Sequence, residues 1–166
     1  MADIDAALSA TSETDNVNAL SERPGFLIRR MHQIHLALFA EECSTFGITP
    51  VQYSIMTVAG AQPNLDQAQL AYEIGVDRAT LANVVARLES KGLVRRSTLS
   101  SDKRVKLVAL SPQGSALLKK MLVAVQRAHE RTIEALSHKE QSLLMALLAK
   151  LVDAQNDCGR APLRLR

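Results

Sequence analysis

The stretch VDRATLANVVARLESKGLVRRSTLSSDKRVKLVAL, residues 76–110, decides the reading of this chain. It opens as a capped amphipathic helix. Asp77 precedes Arg78 at the cap position, and Leu81, Val84, Val85 and Leu88 recur at the spacing of one buried face. Gly92 ends that helix. The period then changes. LVRRSTL and RVKLVAL are rich in β-formers, and in the second Val105, Leu107 and Ala109 alternate with Arg104, Lys106 and Val108. These two runs predict a hairpin with a polar tip over residues 98–103. No two-residue turn signal joins them, so the loop is longer.

Upstream, Asp66 caps a short helix over residues 67–74. Gly75 sits in EIGVD where a sharp left-handed bend is needed. Residues 66–91 therefore read helix, tight turn, helix. Before them, TPVQ starts another helix, with Thr49 as cap, Pro50 at the first helical position and Gln52 reaching back. Ile55, Val58 and Ala59 are expected to face inward. Residues 26–43 are helical too. Leu27, Met31, Ile34 and Leu38 make one buried stripe, and Ile28, His32, His35 and Phe39 make a second beside it. After the hairpin, Ser111-Pro112 starts a long helix with the stripe Leu117, Met121, Ala124, Val125 and Ala128. Ser137 to Glu140 form a capping box for a last helix striped by Leu144, Leu147, Leu148, Leu151 and Val152.

The expected order is α-α-α-α-β-β-α-α, mainly helical. Three regions follow: an acidic arm over residues 1–22, a helix-turn-helix with its hairpin over residues 49–111, and a helical region over residues 23–48 and 112–158. The long terminal helices carry more apolar stripe than one small core can cover, which predicts a homodimer.

Composition agrees with a helical core: 47% of the 166 residues are apolar and Trp is absent. Net charge is +3, but residues 77–106 hold eight cations against three acids, while residues 1–22 hold five acids and no Lys or Arg. A local excess of this kind points to a polyanion. Two distant cysteines make no disulfide framework or zinc motif. No run approaches a membrane span, and the N-terminus lacks the pattern of a secretory signal, so the cytoplasm is the expected location. Neither a Ser-His-Asp arrangement, a phosphate-cradling glycine loop nor paired carboxylates appears. An enzyme is thus the weakest class, with no catalytic residue and no cofactor expected.

A second helix fits a ~12 Å major groove, and a hairpin behind it can reach the backbone and the minor groove. Arg78, Thr80 and Asn83 lie near the start of that helix, on the face away from Leu81, Val84 and Leu88, and Arg87 follows. Arg can bridge guanine O6 and N7, Asn can pair with adenine, and Thr can meet a thymine methyl or a phosphate. Arg95 on the first strand and Lys103 and Arg104 at the tip add cations. Asp102 can hold the tip or orient a guanidinium.

These residues resemble the winged-helix core of the MarR transcription factors. The resemblance is carried by Asp77 to Thr80, LESKGLV over residues 88–94, Asp102-x-Arg104 and LSPQG over residues 110–114, in that order, and it covers about residues 23–156. It implies a homodimer on a pseudo-palindromic operator, usually repressing, with the helix after Asp77 reading DNA and Arg104 entering the minor groove. Where the family often has two arginines after the wing aspartate, this chain has Lys103-Arg104.

The family also implies a small anionic aromatic effector. RPGFLIRRMHQIH is similar to the first helix of relatives that regulate the breakdown of aromatic acids. Arg29 offers a carboxylate partner, His32 and His35 offer donors, and Tyr53 offers a hydroxyl and a ring. The expected ligand is an aromatic acid or its coenzyme A thioester. The alternatives are a redox sensor at Cys43, a zinc sensor using His32, His35 and His129 with Glu41 or Glu42, and a DNA-compacting protein indifferent to sequence. A buried, inert Cys43 and structural histidines are the expectation, with no metal site.

Overall fold

The computed structural model describes residues 20–98, 105–158 and 161. The elements in chain order are α1 (Pro24–Glu42), a short 3-10 turn (Ser44–Phe46), α2 (Pro50–Ala61), β1 (Leu65–Asp66), α3 (Gln67–Ile74), α4 (Arg78–Ser90), β2 (Val94–Thr98), β3 (Lys106–Leu110), α5 (Pro112–Ile133) and α6 (His138–Ala154), followed by a 3-10 turn (Asn156–Cys158). No helix among the described residues is long and apolar enough to cross a membrane. The expected helical order holds, with one addition. Leu65 and Asp66 pair with Val108 and Leu107, so the sheet is three-stranded in the order β1-β3-β2. Asn64 turns the chain into β1 with φ 67°, a conformation Asn tolerates better than most residues.

Each predicted cap is present. Thr49 Oγ1 accepts from Gln52 N–H while Gln52 Oε1 accepts from Thr49 N–H. Asp66 and Gln69 repeat that exchange at α3, and Ser137 and Glu140 at α6. Pairing donors that a helix start leaves unbonded fixes where each helix begins. Gly75 closes α3 at φ 74°, the left-handed bend its place in the sequence requires.

The core is one cluster drawn from nearly every element. Phe39 and Cys43 meet Ile55, Met56 and Ala59, then Leu70, Leu81, Val85, Leu88, Val94 and Val108, and Met121, Val125 and Ala128 close it from α5. Two details depart from the sequence reading. Met56 is fully buried, whereas Val58 is only half-buried. In β3 it is Val108, not Leu107 and Ala109, that is fully buried. The cause is β1: β3 lies between two strands, and Val108 is opposite Leu65 on one side and Arg96 on the other. The alternation had assumed a two-stranded ribbon.

The helical ends behave differently from the core. α1 packs along α5, fastened at one end by Arg131, whose guanidinium reaches Glu42 at 2.7 Å and Glu41 at 3.1 Å. Within the single chain, however, the α1 stripe of Leu27, Met31 and Ile34 is open to solvent, and Ile28 is 57% exposed. α6 buries no residue, and Leu147, Leu148, Leu151 and Val152 all stand exposed.

Candidate nucleic-acid interface and effector cleft

α4 owes its start to Asp77. Its Oδ1 accepts from Thr80 N–H at 2.8 Å, and its Oδ2 accepts from the Thr80 hydroxyl at 2.6 Å. The Thr80 hydroxyl and, after it, the backbone N–H hold the Asp77 carboxyl below the usual carboxylate range. Leu81, Val85 and Leu88 fix the inner face. Thr80, Asn83 and Arg87, three and four residues apart, then share one exposed stripe. The cap leaves the Thr80 methyl free for contact.

Arg78 is exposed but does not join that stripe. It borders a hollow with Asp66, Gln67, Ala68, Val105 and Lys106, to one side of the helix. The face assigned to it from the sequence is therefore corrected: a residue two positions before Thr80 is turned by ~200° about the axis.

The sheet register separates two adjacent arginines. Arg95 pairs with Ala109 and Arg96 with Val108, so they occupy opposite faces. Arg95 is exposed on the outer face. Arg96 turns toward the end of α4, where its Nε donates to Glu89 Oε2 at 2.7 Å and its backbone N–H donates to Oε1 at 3.1 Å. These bonds pull the Glu89 carboxyl down. Lys91 is likewise committed, donating to the Gly47 carbonyl at 2.9 Å. Asp102, Lys103 and Arg104 lie outside the described residues.

The second feature is a cleft of ≈ 1100 Å³ between α5 and α6, closed on one side by Tyr53 of α2. Leu122, Val125, Ile133, Leu144, Met145 and Leu148 form its walls, and Gln126, His129, Thr132 and Gln141 supply polar groups. Of the four effector residues expected from the sequence, Tyr53 lines this cleft. His35 sits behind it: Nδ1 lies 2.9 Å from Thr132 Oγ1, and its ring stacks on His129 with centroids 5.0 Å apart. Tyr53 and His35 both meet the Phe39 ring edge-on. Arg29 and His32 do not line the cleft. Arg29 places its guanidinium 5.3 Å over the Phe26 ring, and His32 is exposed.

Sequence reasoning missed Thr132 altogether and considered His129 only for zinc. The signal was present: Val125, His129 and Thr132 follow at i, i+4 and i+7, continuing the buried stripe of α5 with polar residues. Among the described residues no group of three or more metal-ligating side chains occurs. Cys43 is buried, and burial followed by the charge of Glu42 pushes its thiol up.

Residues 48–106 match the model of the MarR family. The transcriptional regulator HosA of Escherichia coli O111:H- is 32% identical over 136 residues, spanning 82% of this chain and 99% of HosA. The HTH-type transcriptional repressor NicR of Pseudomonas putida is 29% identical over 84% of this chain and 89% of its own. Among solved structures, Bordetella bronchiseptica BpsR, whose DNA binding is regulated by 6-hydroxynicotinic acid, superposes with a TM-score of 0.76 at 28% identity, over 80% of this chain and 95% of BpsR. Rhodococcus jostii CouR bound to p-coumaroyl-CoA gives 0.68 at 28%, over 80% and 93%.

Proposed function

This chain belongs to the MarR family of transcriptional regulators, and from that premise we propose that it is a repressor, bound as a homodimer to a pseudo-palindromic operator and released by an aromatic acid or its coenzyme A thioester. The observation that carries the reading is the face of α4. Thr80, Asn83 and Arg87 are exposed on a helix whose start and inner face are fixed, with Arg95 beside them and Arg96 held back by Glu89. A rigid helix presenting a donor, an amide and a methyl is suited to base edges, whereas sequence-indifferent compaction needs only the cations. Arg78, Lys103 and Arg104 extend the basic surface to the backbone, with Asp102 supporting the tip.

Dimerisation is supported by the open apolar faces of α1 and α6. Two copies would set their α4 helices one DNA turn apart, about 34 Å. The cleft between α5 and α6 adjoins the helices that would set that spacing. Its volume suits a ligand of substantial size, and the regulation of NicR's and BpsR's kind by aromatic acids favours such a ligand here. A ligand that favours a dimer with the wrong spacing lowers operator affinity. Against a redox trigger stand the burial and raised thiol of Cys43.

Fluorescence anisotropy on DNA from the protein's own promoter region tests this. Binding at dimer stoichiometry, preferred over random DNA and weakened by 6-hydroxynicotinic acid or p-coumaroyl-CoA, is expected. Equal affinity for random DNA would defeat the operator reading.

A further inference from the structure

We infer that the cleft binds its acid together with a proton: His129, stacked on His35, becomes the cation beside the bound carboxylate. This inference rests on the proposed effector cleft and specifies how that cleft would recognise its ligand.

A carboxylate in an apolar cleft needs a cation or several donors. No Lys or Arg occurs among the described lining residues, which instead include Glu130 and Glu134. The nearby guanidiniums are placed elsewhere. Arg131 is bonded to Glu41 and Glu42, and Arg29 lies over Phe26. The only lining groups that can become cationic are imidazoles, His129 and, at the start of α6, His138.

The hydrogen bonds show which imidazole is poised. Thr132 Oγ1 donates its single proton to the Ala128 carbonyl at 2.7 Å. Toward His35 it can therefore only accept, so His35 Nδ1 carries the proton of that 2.9 Å bond. The neutral His35 ring then leaves Nε2 bare. Burial first, then the neighbouring His129 and His32, hold its pKa down. Two rings 5.0 Å apart and inclined by only 23° are poor hosts for two positive charges. The pair thus takes up one charge, and it falls on His129, which faces the cleft.

The remaining ionisable groups around the pair act on the same balance. His32 of α1 opposes a charge on it. Glu130 and Glu134 favour that charge but repel a bare carboxylate. Tyr53 of α2 is a donor, and His138 lies across the cleft. An acid entering this setting draws one proton from solvent onto His129. No covalent bond forms or breaks beyond that N–H. Imidazole titrates near neutrality, so the coupling operates between about pH 6 and pH 8.

The test is isothermal titration calorimetry of the full-length protein with 6-hydroxynicotinate, benzoate and 4-hydroxycinnamate, in buffers of different ionisation enthalpy. Up to one proton should be taken up per acid bound. Affinity should fall toward tenfold per pH unit above neutrality. The corresponding amides should show neither effect. In His129→Gln, with its fold checked by melting temperature and DNA binding, uptake and slope should both vanish. Acid binding without proton uptake, or uptake that persists in His129→Gln, overturns the inference and leaves the effector reading standing. If none of the acids binds, both fall together.

Discussion

Gly114 lies in the first turn of α5, where that helix meets the base of the wing, and its replacement by Ala should be costly. A Cβ built there would lie 2.1 Å from the Leu93 carbonyl oxygen and 2.7 Å from Leu110 Cδ1. The leucine methyl can turn away, but the carbonyl cannot. It accepts from Ser111 N–H at 3.0 Å, while Ser111 Oγ donates to the Gly92 carbonyl at 2.6 Å and accepts from Gly114 N–H at 2.9 Å. Relieving the clash means shifting α5 away from the start of β2 and loosening this network. Overpacking at the top of its usual range costs ~3 kcal/mol, and a weakened hydrogen bond adds ~1 kcal/mol. The gain in helix propensity returns ~1 kcal/mol. A net loss of about 3 kcal/mol lowers the melting temperature of a chain this size by roughly 6–12 °C. Gly25, also in a first helical turn, has nothing within 4 Å of its Cβ position, so Gly25→Ala should be neutral or stabilising by less than ~1 kcal/mol. Thermal and urea denaturation, compared at one protein concentration because association shifts both, measure the pair. An unchanged melting temperature in Gly114→Ala would refute the packing argument.

Three further outcomes are expected. A thiol reagent should modify one cysteine per chain rapidly, the exposed Cys158, and leave buried Cys43 slow, so Cys158→Ser should abolish the fast phase. The Asp77 carboxyl is depressed in the folded state, so its stabilisation is complete above the unfolded carboxylate range and is lost as pH falls through the lower folded value. The difference in urea midpoint between wild type and Asp77→Asn should accordingly shrink between about pH 6 and pH 3. Glu89→Gln releases Arg96. Stability should drop by less than ~1 kcal/mol, as for other exposed pairs, while the salt dependence of DNA binding should steepen by up to about one counterion, measured as log K against log salt.

Much of the fold was written in local chemistry. Thr49, Asp66, Asp77, Ser111 and Ser137 each cap a helix because their side chains accept from the N–H groups that follow, a property readable from sequence alone. β1 was not readable. Two residues carry no periodicity, and Leu65 is a strand only because β3 offers it an edge. The same long-range pairing decided that Val108 is the buried residue. LSPQG was recognised as a motif, but the need for its glycine became visible only with Leu93 packed against it. In the interface, Asn83 and Arg87 could be assigned to an exposed stripe by helical spacing. Separating Arg95 from Arg96 required the β2–β3 register. The cleft was the least legible part, because its walls come from α2, α5 and α6, which are remote in sequence. Arg29 was chosen for its charge, and its resting place over Phe26 depends on one local aromatic contact.

The claim on which the rest depends is that the exposed stripe of α4 reads DNA sequence. The measurement that tests it most directly is the ratio of affinities for promoter-derived and random duplexes, by fluorescence anisotropy at fixed salt, in wild type and in Asn83→Ala/Arg87→Ala. Losing base-edge contacts worth about 1–3 kcal/mol each should cut that ratio at least tenfold, with most of the loss on the promoter fragment. An unchanged ratio, with both duplexes weakened alike, would mean that the stripe holds only phosphates and that sequence is read elsewhere.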